Sequence, residues 1–368
     1  MKSLNILNVP NPSDCFLDAL ACKPTSKTPV WLMRQAGRYL PEYREIRAQA
    51  GDFLTLLKTP KLAVEVTLQP IRRFDLDAAI LFSDILTIPD AMGLELAFEA
   101  GEGPFFKHPL GNPHDIDRLE SGPLSDRLEY VWSTIRGVKS EIAGHKPLIG
   151  FAASPWTLAC YMIGEGPRRD FEDALRWLYQ YPEDLSRLLF LLAERVGDYL
   201  IHQIDAGVDV IMIFDSWGGL LPSLQYSACA VDPVRLVLNR IQTVHPDIPT
   251  ILFARGVGCR LERVQGLPIR CLALDSMVEL REARRVFGRT VALQGNLDPH
   301  VLYGTHEEIR KQVRIMIQSL DDLTGFVFNL GHGIRPDVDF KRVGFLIDCV
   351  HQETRACSEN HSSPIQQM

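Results

Sequence analysis

The stretch Met33-Arg-Gln-Ala-Gly-Arg38-Tyr-Leu-Pro-Glu-Tyr-Arg44-Glu-Ile-Arg47 crowds guanidinium groups into a short segment. Guanidinium forms paired, planar hydrogen bonds to carboxylate or phosphate, so the segment suits a small polyanionic substrate. Arg34 and Arg38 flank Gly37, and Arg44 and Arg47 follow Pro41. Gly and Pro there predict a shaped loop rather than one continuous exposed helix. Glu42 and Glu45 are local counter-charges that could account for Arg44. They explain Arg34 poorly, because Arg34 directly ends an apolar run.

Three further places carry chemistry. Asp84 stands between two apolar runs, and a carboxylate there needs partners. It either caps its loop through backbone N–H groups or accepts from N–H donors or a cation on a ligand. In Gly150-Phe-Ala-Ala-Ser154-Pro155 a strand gives way to a helix, and Tyr161 further along that helix faces either the site or the core. In Asn329-Leu-Gly-His332-Gly333 the flanking glycines leave the imidazole accessible and let a ligand approach. A loop histidine satisfied by a backbone bond is the competing reading. No second ligand at metal-binding spacing stands near it, so no metal site is expected.

These residues need elements to position them. Eight short apolar runs recur: Pro29–Met33, Ala78–Ser83, Pro147–Ala153, Val208–Phe214, Thr250–Ala254, Arg270–Leu274, Val291–Gln294 and Phe326–Leu330. Runs without alternation suit strands buried on both faces of a parallel sheet. Helical periodicity fills the gaps, over Pro60–Phe74, Leu124–Ile142, Asp170–Asp205, Asp232–Val244, Met277–Phe287 and His306–Ser319. Strand and helix alternating in this way predict an α/β chain with a single-domain (β/α)8 TIM barrel. A doubly wound sheet fits less well, because no Gly-rich phosphate fingerprint follows the first strand.

Residues 1–25 read as an irregular arm, 26–352 as the catalytic barrel, and 353–368 as a polar, disordered tail. Barrel enzymes place their sites at the C-terminal strand ends. The polar residues there are Arg34, Asp84, Ser154, Asp215 with Ser216, Arg255, Asp275, Asn296 with Asp298, and Asn329 with His332.

Bulk properties narrow the partners. The 368 residues are 46% hydrophobic and 23% charged, with a net charge of −7. That acidic balance argues against nucleic-acid or membrane-surface partners. Eight cysteines without a CxxC pair suggest free thiols in a reducing cytoplasm. Neither a signal peptide nor a membrane-spanning run is read.

Taken together, the motifs resemble those of the uroporphyrinogen decarboxylase family. The carriers are the arginine segment, Phe82-Ser-Asp-Ile-Leu86, Phe151-Ala-Ala-Ser-Pro-Trp-Thr-Leu158, Leu293-Gln-Gly-Asn-Leu-Asp-Pro299 and Phe328-Asn-Leu-Gly-His-Gly333. The resemblance covers residues 11 to 352 or so and implies a (β/α)8 barrel acting as a cytoplasmic homodimer without cofactor. The implied reaction removes CO2 from the acetate side chains of uroporphyrinogen III, giving coproporphyrinogen III.

The resemblance also implies roles. Asp84, Arg34, Tyr161 and His332 are the expected catalytic residues, with Tyr161 orienting Asp84. Arg38, Arg47 and Ser216 join them in binding substrate, and Gln35, Ile80, Phe151 and Phe214 line the cleft. Arg34 is a weak general acid because of its high pKa, whereas His332 titrates more conveniently. Two rim stretches depart from the family pattern, Tyr161-Met-Ile-Gly-Glu-Gly166-Pro and Ala254-Arg-Gly-Val-Gly258. The alternatives are a corrinoid-linked methyltransferase on the same kind of barrel, or a non-catalytic tetrapyrrole-binding protein.

Overall fold

Seven of the eight apolar runs become strands of one parallel sheet. The computed structural model describes residues 15–99, 103–119, 122–142, 145–164 and 170–361. In chain order the strands are β1 (Ala79–Ile80), β2 (Leu96–Glu99), β3 (Gly103–Phe106), β4 (Leu148–Ala153), β5 (Val210–Asp215), β6 (Thr250–Ala254), β7 (Cys271–Leu274), β8 (Ala292–Leu297) and β9 (Phe326–Leu330). The main sheet runs β1-β4-β5-β6-β7-β8-β9, every pair parallel. Strands β4, β6, β7 and β9 are buried at every residue, as continuous apolar runs require.

The eighth run, Pro29–Met33, closes the ring through single contacts. Val30 bridges Phe328 in parallel, and Phe328 N–H donates to Pro29 O at 2.9 Å. On its other side Asp77 N–H donates to Val30 O at 2.7 Å. Pro29 lacks a donor, and the chain turns at Arg34 with φ 61°, so no regular strand develops. The result is a parallel barrel of eight staves, one of them held only by bridges.

Helices cover the outside. Pro60–Arg73, Asp232–Val244 and His306–Gln318 form close to where periodicity places them, and proline at the first turn opens the first two. The long segment expected over Asp170–Asp205 is two helices, Glu172–Gln180 and Pro182–Ala206. Pro182 cannot continue the first helix and instead starts the second.

Both chain ends differ from expectation. Within the expected arm, Cys15–Leu20 is a helix that buries Phe16, Ala19 and Leu20 in the core. The C-terminal helix runs Phe340–His361, well past 353, with Thr354 buried. Residues 1–14 of the arm and 362–368 of the tail lie outside the described residues. A buried ion cluster ties these ends to the barrel floor. Asp77 accepts from Val30 N–H at 2.8 Å, pairs with Lys27 at 2.7 Å and meets His351 Nε2 at 3.3 Å.

One element was not anticipated. β2 and β3 form an antiparallel hairpin inserted after β1. The chain beyond it pins the rim, since Leu110 N–H donates to Met162 O at 2.7 Å and Gly164 N–H to Leu110 O at 3.1 Å. No described helix is long and apolar enough to cross a membrane.

Candidate active site

The polar strand ends divide into two sets. One set holds the barrel together. Ser154 caps its helix and donates to Asp215 at 2.7 Å, joining the ends of β4 and β5. Asn296 donates to the Asp275 and Val278 carbonyls at 2.7 and 2.6 Å. Asn329 Oδ1 accepts from Met33 N–H at 3.0 Å and Leu330 N–H at 2.8 Å. Asp298 caps the short helix Pro299–Tyr303. Asp215 is buried, and burial pushes its carboxyl up to about 6 against the pull of Ser154, Thr157 and the Gly218 N–H. Its bonded partners make it an anchor.

The second set faces the mouth. Asp84 follows β1 and is half-buried. Burial pushes its carboxyl up to about 6, while the Leu86 N–H and the Arg34 charge pull down and Asp90 pushes up. Leu86 N–H donates to Oδ1 at 2.8 Å, and among the described residues Oδ2 has no hydrogen-bond partner. One oxygen therefore caps the loop, as the first reading of Asp84 has it.

Arg34 sits in the left-handed region, a strained conformation for a non-glycine residue. Its side chain crosses Gly333, where a Cβ would lie 2.3 Å from Arg34 Cδ and 2.6 Å from Cγ. The glycine after His332 thus makes room for an arginine of this chain, and Gly331 makes room for Ser276. Desolvation lowers the Arg34 pKa, opposed by the nearby Tyr161 and Asp84.

His332 accepts from Gly333 N–H through Nδ1 at 2.8 Å. Burial, and then the charges of Arg34, Arg255 and Arg335, push its pKa down to about 4. Near neutrality the ring is uncharged, with its proton on Nε2. The expectation of a conveniently titrating His332 is overturned, because burial first, and the arginines around the mouth second, disfavour the protonated ring.

Tyr161 packs edge-on against Phe171 at 5.1 Å and Trp217 at 6.4 Å, and burial raises its pKa. It makes no hydrogen bond to Asp84 among the described residues. Leu86 N–H does the orienting expected of Tyr161. Phe151, Phe214 and Phe253 form an edge-to-face row across β4, β5 and β6, with centroids 5.5 and 5.8 Å apart. Ile80 and Ser216 are half-buried at the ends of β1 and β5.

The rest of the arginine segment splits. Arg38 is exposed and has no ion pair among the described residues. Pro41–Ala50 is a helix, so Arg44 and Arg47 lie beyond the loop proper. Arg44 donates to the Arg38 and Tyr39 carbonyls at 2.8 and 3.2 Å, not to the neighbouring glutamates. Glu42 instead pairs with Arg73 at 2.6 Å. Arg47 donates to Gly51 O at 2.8 Å, capping its own helix. Gln35 is fully inside the wall, accepting from Leu32 N–H at 3.1 Å and donating to Ala78 O at 3.2 Å. The cleft-lining expectation for Gln35 is corrected: its amide fastens the arginine loop to β1.

Sequence reasoning missed Trp217, Phe171 and Arg335. Trp217 follows Ser216 directly, and a Trp before Gly218-Gly219 at a strand end was the available signal. Phe171 and Arg335 carried none. Residues 165–167 of the first rim departure lie outside the described residues. Among the described residues no group of three His, Cys, Asp or Glu stands in metal-binding geometry. A surface hollow between Leu124, Trp132, Asp198 and His202 lies on the outer helices, away from this cluster.

A parallel barrel whose C-terminal mouth gathers a half-free carboxylate, unpaired arginine and aromatic walls defines an enzyme class that handles small anions. The same architecture appears in a methyltransferase from Methanosarcina mazei, with TM-score 0.77, 19% identity, and 93% of this chain and 98% of that one covered. At that identity the likeness is one of fold. Residues 11–353 match the family described as Uroporphyrinogen decarboxylase (URO-D). The uroporphyrinogen decarboxylase of Vesicomyosocius okutanii subsp. Calyptogena okutanii (strain HA) is 49% identical over 342 residues, covering 93% of this chain and 99% of the relative. That of Legionella pneumophila (strain Corby) is 49% identical over 337 residues, covering 92% and 96%. The chain belongs to the uroporphyrinogen decarboxylase family, enzymes of the carboxy-lyase class.

Proposed function

We propose that this chain removes CO2 from the four acetate side chains of uroporphyrinogen III, giving coproporphyrinogen III, with no cofactor. Asp84 carries the reading: a half-buried carboxylate with one oxygen fixed by Leu86 N–H and the other without a hydrogen-bond partner among the described residues. Loss of CO2 leaves an electron pair that needs a sink. Protonation at a pyrrole carbon makes the ring iminium-like, and it then takes the pair as CO2 departs. A proton added to the methylene left behind, and loss of the ring-carbon proton, give the methyl group and restore the pyrrole. Asp84 accepts from pyrrole N–H groups and stabilises the cation as it forms. Arg34 and Arg38 hold carboxylates. Of the two candidate acids, Arg34 is exposed and keeps its charge, whereas His332 is neutral and serves as an Nε2–H donor. Tyr161, Phe151, Phe214, Ile80 and Ser216 shape the cleft.

The reading extends to a cytoplasmic homodimer. Leu224 and Met277, each 88% exposed, are apolar groups that a second copy could cover. Light scattering on the purified chain tests the dimer. The reaction is tested by anaerobic incubation with uroporphyrinogen III, oxidation, and counting of porphyrin carboxyls. Coproporphyrin is the expected product. Bound but unchanged uroporphyrin would mean a binding protein, and corrinoid-dependent methyl transfer with stoichiometric zinc would mean a methyltransferase.

A further inference from the structure

Arg255 ends β6, and nothing in the proposed reaction uses it. Its backbone N–H donates to Asp215 O at 3.1 Å, and the next N–H, on Gly256, is held by the Asp275 carboxylate. Gly256 has φ 72°, and a Cβ there would lie 2.7 Å from Gly219 Cα, so the loops after β5 and β6 pack backbone to backbone. This seats the Arg255 guanidinium over the Trp217 ring, 5.1 Å from its centroid. Trp217 is itself fixed. Its carbonyl accepts from Trp156 Nε1 at 3.0 Å, its N–H donates to Thr157 Oγ1 at 3.3 Å, and its ring packs on Phe171 at 4.8 Å. Among the described residues Arg255 has no carboxylate partner. A guanidinium held over an indole face, with no carboxylate partner among the described residues, is a preorganised anion contact.

The order of staves says which anion it meets. From Pro29–Met33 through β1, β4 and β5, β6 is four steps away; through β9, β8 and β7 it is again four. Arg255 therefore ends the stave opposite Arg34. A tetrapyrrole carries carboxylates all round its rim. With one pyrrole at Asp84 and Arg34, the macrocycle presents another side-chain carboxylate to the far wall.

We propose that Arg255, stacked on Trp217, is a substrate-binding residue that holds a peripheral carboxylate of the macrocycle across the mouth from the reacting pyrrole. This rests on the decarboxylase reading above. The contact is made to a carboxylate that is not the one leaving, so it acts equally in ground and transition states and governs KM rather than kcat. The carboxylate is an acetate or a propionate.

The test is steady-state kinetics on the full chain with uroporphyrinogen III, comparing Arg255→Met, Arg255→Lys and Arg263→Met. Arg263 is an exposed arginine on the outer surface and reports general charge effects. Arg255→Met should raise KM by about 10- to 100-fold, the range for a lost charge-assisted hydrogen bond, with kcat within about twofold. Arg255→Lys should recover part of the loss, keeping charge but not the flat fork. Arg263→Met should change neither constant. An unchanged KM in a folded Arg255→Met protein overturns the proposal, as does a fall in kcat alone or an equal effect from Arg263→Met. If the wild type releases no CO2, the decarboxylase reading itself has failed. Repeating the assay on partly decarboxylated intermediates separates the sources. A propionate contact gives the same KM penalty at every step, and an acetate contact gives a penalty that fades as acetates become methyls.

Discussion

Replacing Asp84 by Asn keeps the shape of the side chain and removes its charge. The rise of the carboxyl from 3.8 to about 6 corresponds to about 3 kcal/mol of unfavourable ionisation in the folded state. The side chain still touches solvent, so about 2 kcal/mol is the more reasonable share. That net cost already includes the pull of the Leu86 N–H bond at 2.8 Å and of the Arg34 charge. Asp84→Asn should therefore stabilise the substrate-free protein by about 2 kcal/mol at pH 8. The folded-state pKa lies above the unfolded one, so as pH falls through 6 the native Asp84 takes up a proton and its penalty disappears. The advantage of Asn should fade between pH 6 and pH 4. Urea unfolding at several pH values reads this out. Turnover should move the other way, with kcat falling by about 100- to 1000-fold, as when a preorganised electrostatic group is lost. Asn less stable than Asp at pH 8 would refute the desolvation argument. Turnover within tenfold of wild type would remove Asp84 from the centre of the reaction.

Three other outcomes follow from the geometry. Gly333→Ala puts a Cβ 2.3 Å from Arg34 Cδ, so it should raise KM about tenfold with Arg34 still present, and an unchanged KM would show that the Arg34 path over Gly333 is unimportant. By NMR, the His332 imidazole should titrate near pH 4, and a midpoint above 6 would mean that the surrounding arginines and burial do not govern it. Asp77→Asn takes the 2.7 Å partner from half-buried Lys27, leaving it Asp75 at 3.6 Å, and should destabilise the fold by about 2 kcal/mol, a loss that urea titration would detect. Burial works against the ionised Asp77, but His351, Lys27 and Val30 outweigh it and hold the pKa below the usual range. The stability from Asp77 is therefore present above pH 4 and lost as pH falls below it.

Much of the barrel could be read from the sequence because strands buried on both faces must be continuously apolar, and each such run here is a stave. The alternation of runs and helical segments carried the topology, and the polar residues ending the runs marked the mouth. The residue types that suit a carboxylate-rich ligand, Arg34, Arg38 and Asp84, could also be read one by one. Tertiary structure decided which polar strand ends point inward and which anchor the wall, because that depends on partners far away in the chain. Asp84 and Asp215 look alike as sequence, and both are pushed up by burial, yet Asp215 is held by Ser154 and Thr157 while Asp84 keeps one oxygen free. Gln35 left the cleft for the same reason. His332 lost its convenient titration because burial, and then the charges of Arg34 and Arg255 from other loops and of Arg335 from its own, disfavour a proton there. The sequence determined the sheet and the kinds of groups at its mouth. Through-space electrostatics and packing, which no local pattern encodes, determined their states of charge and their partners.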